Sequence, residues 1–155
     1  MIEENIRHLE ESARRGDVDA QFNLGVCYRD GRGVEQDQRK AEQWFVEAAA
    51  QGHAGAQFGL GVCFELGREV PDYSEAAQWY AKAAQQGYAP AQNRFGLFCE
   101  EGKGVTKDLE AAENWYTEAA RQGNKLAVQA LERLGKCPCE RVKARSANPD
   151  FKIRK

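Results

Sequence analysis

The chain has 155 residues, 42% hydrophobic and 30% charged, with 15 Gly against 4 Pro; that is one ordinary folded unit with an unusual supply of glycine. No run approaches the roughly 18 apolar residues that span a bilayer, and the start MIEENIRHLEESARRG is charged where a secretion signal is apolar, so a cytoplasmic protein without a membrane span is expected. The 22 basic and 24 acidic groups divide unevenly: residues 136–155 hold seven Lys/Arg against two Asp/Glu, leaving fifteen against twenty-two in a body that should repel nucleic acid.

The glycines are periodic. Gly16, Gly52, Gly87 and Gly123 fall 36, 35 and 36 residues apart, each after an alanine-rich or small-residue run, and Gly25, Gly61 and Gly96 keep the same 36- and 35-residue spacing. Such self-similarity marks a repeat architecture in which each unit buries its apolar face against its neighbours. The expected fold is all-α: a right-handed α/α solenoid of helix-hairpin repeats, about 36 residues each, with three full repeats between two half-repeats.

In chain order, residues 1–16 align with a second helix alone. Residues 17–52 form the first hairpin, whose first segment places Ala20, Leu24, Cys27, Tyr28 and Gly31 on one helical face and whose second does the same with Ala41, Trp44, Phe45, Ala48 and Ala49. Residues 53–87 and 88–123 repeat the pattern, residues 124–135 align with a first helix alone, and residues 136–155 form a basic tail. Asp37, Asp72 and Asp108 stand where second helices begin and can cap free N–H groups there; each second helix ends at a Gly suited to the left-handed position, and Pro90 fits a first turn. The single 35-residue interval places a one-residue deletion in the Val70–Asp72 loop, beside Pro71.

These units, of which AQFNLGVCYRDGRGVEQDQRKAEQWFVEAAAQG is the first, resemble the Sel-1-like repeat family, relatives of the tetratricopeptide repeat with longer loops. The likeness covers about residues 3–135 and rests on positions that recur three times, among them Ala20, Leu24-Gly25, Gly31, Ala41, Trp44, Ala48-Ala49 and Gly52. Glu69 replaces a loop glycine and Cys99 an aromatic. The resemblance implies a non-catalytic protein–protein interaction adaptor or scaffold that needs no cofactor. Cysteine-rich members of the family have been linked to penicillin binding or β-lactam hydrolysis, which leaves such an enzyme as one alternative and a structural fragment of a larger scaffold as another. No second helix here contains the cysteine of those members' bridged pairs.

The residues themselves offer no nucleophile and base, no paired catalytic carboxylates and no phosphate loop. Cys27, Cys63 and Cys99 read as small core residues, since the repeat register puts Phe98, and not Cys99, in the column of Cys63. Cys137-Pro138-Cys139 reads as a helix stop, because a zinc site needs four ligands and only His8 and His53 could add to the pair; an intermolecular link through it stays open. The Trp44, Trp79 and Trp115 column reads as core between repeats, for which Trp79→Ala should cost about 3–5 kcal/mol.

Taking Leu24 as the packed direction, residues 22, 26 and 29 point about 140–200° away, which the tetratricopeptide relatives place on the concave surface. The candidate groove is then Asp19, Phe22, Val26, Arg29 and Asp30 in repeat one, Phe58, Val62, Glu65 and Leu66 in repeat two, and Asn93, Leu97, Glu100 and Glu101 in repeat three. An apolar floor with an acidic rim suits a basic amphipathic protein segment or peptide, including the chain's own tail or that of a neighbouring chain. The alternatives are packing between first helices for Phe22 and Phe58, and a solvated face for the rim.

Overall fold

The computed structural model describes residues 2–136, and among them every regular element is helical. α1 (Ile2–Arg14) is the leading second helix; α2 (Val18–Asp30) and α3 (Gln38–Ala50), α4 (Ala54–Leu66) and α5 (Tyr73–Gln85), and α6 (Ala89–Glu101) and α7 (Leu109–Arg121) are the three hairpins; α8 (Lys125–Arg133) closes the row. Each helix packs chiefly on the helices before and after it in the chain. Contacts are therefore local, as in a solenoid held by nearest-neighbour interfaces.

Helix ends follow from single residues. The second helices start at Asp37, Asp72 and Asp108, whose carboxylates accept amide bonds from Arg39 and Lys40, from Glu75 and from Ala111. The first helices start at Asp17, His53 and Asn124, which accept from Ala20, Ala56 and Ala127 at 2.9, 3.0 and 3.0 Å; Tyr88 gives no such bond, and Pro90 occupies the first turn instead. The shortened loop has a backbone consequence: Gly31 and Gly102 close their helices at φ 69° and 71°, whereas Gly67 stands at −85°. Glu69 thus replaces a glycine in a loop that has abandoned the left-handed turn, where a side chain is strained.

Glutamines tie the repeats together. Gln21, Gln57 and Gln92 are buried, and their amides donate to the carbonyls of Ala13, Ala49 and Ala84 at the end of the preceding second helix. Their side-chain oxygens accept from Gln51, Gln86 and Gln122 at 2.9, 2.7 and 2.9 Å. Every buried amide of this column is satisfied on both sides, so none carries the penalty of an unpaired polar group.

The aromatic core differs from the sequence expectation. Phe45, Tyr80 and Tyr116 are enclosed, at 0%, 0% and 1% exposure, while Trp44, Trp79 and Trp115 are only half-buried. Trp79 lies along the edge of the core with the Lys82 ammonium 4.0 Å from its ring centre. The main packing load therefore falls one residue later than the tryptophan column, and the cost expected for Trp79→Ala is correspondingly smaller.

Candidate partner-binding surface

The first-helix columns carry the residues singled out above. Phe22 is half-buried and stacks on His53, the cap of α4, with ring centres 4.5 Å apart. Phe58 repeats the arrangement one unit later, 5.5 Å from both Tyr80 and Tyr88, the residue preceding α6. Both rings thus serve as packing between neighbouring repeats. Val26, Val62 and Leu97 are half-buried against the core clusters, and Asn93 is half-buried where the aromatic column ends.

The rim carboxylates are engaged within the chain. Asp30 accepts from Arg29 at 2.7 Å, which lowers its carboxyl below the ordinary range, and Glu101 meets Lys103 at 2.7 Å. Glu65 is buried at 7% exposure; it accepts a 2.6 Å bond from the Tyr80 hydroxyl and faces the Arg94 guanidinium at 3.2 Å. Glu100 accepts from the Tyr116 hydroxyl at 2.7 Å and from Arg133 at 2.8 Å. Each of these phenol, carboxylate and guanidinium groups joins three consecutive helices, α4 to α6 and α6 to α8. Among the candidates Leu66 is 65% exposed, and the Asp19 side chain is 86% exposed with its Oδ1 3.5 Å from His53 Nε2.

The Glu100 relay has a pH signature. The Arg133 hydrogen bonds lower its carboxyl below the ordinary 4.5 against the opposing effect of burial, and the Tyr116 bond adds to the lowering. A carboxyl depressed in the folded state stabilises fully above its unfolded value, and that contribution is lost as pH falls through the folded one. Glu100→Gln should therefore be less stable at neutral pH and lose less further stability on acidification. Thermal unfolding followed by circular dichroism from about pH 7 to about pH 3 tests this, and parallel curves for the two proteins would dismiss the relay as a stabilising element.

Two features lay outside the sequence expectation. Leu126 on α8 is 63% exposed and stands in the column that Asp19, Gly55 and Pro90 hold on the other first helices. On the opposite side, α1, α2 and α3 enclose an open cleft of about 740 Å³, lined by Glu10, Arg14, Tyr28, Lys40, Trp44 and Glu47. There the Tyr28 hydroxyl donates to Glu10 at 3.1 Å and the Lys40 ammonium lies 5.2 Å from the Tyr28 ring centre.

Cys63 and Cys99 are buried and Cys27 half-buried; burial pushes the Cys63 thiol up to about 11, so it stays protonated at neutral pH. No group of three or more His, Cys, Asp or Glu able to hold a metal occurs among the described residues, and no described helix is long and apolar enough to cross a membrane. Cys137 and Cys139 lie outside the described residues.

Three segments, residues 18–53, 54–88 and 89–124, match the Sel1 repeat. A Sel1 repeat protein from Oxalobacter formigenes has a similar crystal structure, with TM-score 0.74 and 40% identity over 83% of this chain and 98% of that one. The protective antigen c5321 of uropathogenic Escherichia coli strains, which displays an SLR fold, aligns with TM-score 0.81 and 36% identity over 84% of this chain but 28% of its own. Cysteine-rich protein B of Helicobacter pylori aligns with TM-score 0.62 and 25% identity, covering 81% and 96% of the two chains. No curated protein matches by sequence.

Proposed function

The chain belongs to the Sel1 repeat family, whose members generally mediate protein–protein interaction, and from that premise we propose that it is a non-catalytic adaptor holding a protein segment on its first-helix face. The observation that carries this reading is the pair of exposed leucines, Leu66 at 65% and Leu126 at 63%, on a face whose other apolar residues are half-buried. Large exposed apolar side chains beside well-packed ones are what a partner's anchor residues cover. Because the body carries fifteen basic against twenty-two acidic groups, the partner that fits is basic and amphipathic, drawn in by charge and retained by apolar contact. A cytoplasmic location is part of the same reading.

Val62 and Leu97 pack against the core, so their substitution would confuse binding with folding. Leu66→Lys/Leu126→Lys changes the open surface alone. Affinity capture from source cells, followed by titration of the purified captured protein, should give a partner bound by the native chain and weakened at least tenfold by the double variant. Equal affinity for both would move the site off this face.

A further inference from the structure

The loops that join first to second helices form an adjoining surface, which meets the first-helix face at Leu66 and Glu101. Of the exposed large apolar residues, Val70 at 80%, Tyr73 at 37% and Leu109 at 52% lie along this one edge, in loop two and at the starts of α5 and α7. Loop three adjoins the start of α5 there: a Cβ at Gly104 would overlap the Tyr73 backbone carbonyl, and the Lys103 ammonium lies 5.5 Å from the Tyr73 ring centre. The surroundings are acidic. Residues 65–75 hold four acidic groups to one basic, and residues 100–110 four to two, with Glu69 and Glu110 exposed.

The described chain leaves the body at this edge. Lys136 pairs with Glu113 at 3.5 Å, and Glu113 is one helical turn from Leu109 on the same face of α7. Beyond it come 19 residues, CPCERVKARSANPDFKIRK, with six basic and two acidic groups and with Val142, Phe151 and Ile153 set among the cations. Val142 follows Lys136 by six residues, within about 20 Å of extended chain, and all 19 residues reach at most about 65 Å, enough to cross repeats three and two.

The geometry points to the segment 137–155 as the occupant of the loop edge of its own chain, its cations drawn to Glu69, Glu101 and Glu110 and its apolar residues to Leu109, Tyr73 and Val70. The surface is thereby reserved for a basic segment with spaced apolar anchors. Tethering raises its effective concentration to the order of millimolar, so contacts too weak to hold a free peptide suffice.

Zero-length carbodiimide cross-linking of the full chain, read by mass spectrometry, tests this. Lys143, Lys152 and Lys155 should join chiefly to Glu69, Glu101 and Glu110, and should do so at least fivefold less in the folded variant Val70→Lys/Leu109→Lys. An equal mixture of light and heavy isotope-labelled chains should give links within one chain; mixed-label links would assign the edge to a neighbouring copy and overturn the proposal. Links spread evenly to Glu4, Glu10 and Glu11 of α1, the absence of links, or yields unaffected by the substitutions would overturn it as well. Hydrogen exchange of residues 67–74 and 103–110, faster in the variant only if the edge is covered in the native chain, supplies a second readout.

Discussion

Tyr80→Ala is expected to cost about 4–6 kcal/mol, a large share of a typical domain's stability. Two independent losses add. The ring is fully enclosed, edge-on to Phe98 at 5.3 Å and beside Phe58 at 5.5 Å, so its removal opens a cavity between two repeats. Its hydroxyl also donates to Glu65, a carboxylate at 7% exposure that would keep only the Arg94 guanidinium. Tyr80→Phe isolates the second loss and should cost about 1–3 kcal/mol. Trp79→Ala, at the half-buried neighbour, should cost less than half as much as Tyr80→Ala. Urea unfolding of the three variants gives the ordering, and a Trp79→Ala cost equal to that of Tyr80→Ala would remove the assignment of the core to the tyrosine column.

The contrast between those neighbours shows what was legible in the sequence. Repeat length, helix pairing and the caps at Asp37, Asp72 and Asp108 could be read because each depends on residues within a turn or two of one another. Position 79 or 80 could not be decided that way: adjacent residues point about 100° apart, and both directions fall inside a broad apolar face. The neighbouring helices make the choice, through Phe58 and Phe98.

The candidate groove was less legible because two of its charges, Glu65 and Glu100, find partners one repeat away. Glu65 and Glu100 stand in the same column as Arg29, and their cations come from α6 and α8, at Arg94 and Arg133. A signal was nevertheless present: Phe45 accompanies Arg29, whereas Tyr80 and Tyr116 accompany Glu65 and Glu100. A hydroxyl appears in the ring column where a carboxylate appears in the other, and their hydrogen bond is the physical reason. Leu126 lies in the final half-repeat, outside the three hairpins whose columns make up the candidate groove.

Gly61→Ala is the second large effect, and its sign runs against helix propensity. Alanine should favour the middle of α4 by about 1 kcal/mol, yet a Cβ at Gly61 would stand 2.5 Å from two ring atoms of Tyr80. The ring cannot retreat readily, being held by Phe58 and Phe98 and tied through its hydroxyl to Glu65. Overpacking of this severity belongs at or above the usual range of about 1–3 kcal/mol, and a net loss of about 3 kcal/mol is expected. A Cβ at Gly25 or Gly96 would stand 2.7 or 2.9 Å from the ring of Phe45 or Tyr116, so alanine there should cost progressively less. In α8, after which no second helix follows among the described residues, the column holds Glu132. The glycine is thus required where an aromatic presses on the helix. Introduced into Tyr80→Ala, Gly61→Ala should change sign and stabilise by up to about 1 kcal/mol, because only the propensity term survives. Chemical denaturation of the four proteins of this cycle reads the coupling, and the same cost in both backgrounds would show that the ring is not what excludes a side chain at Gly61.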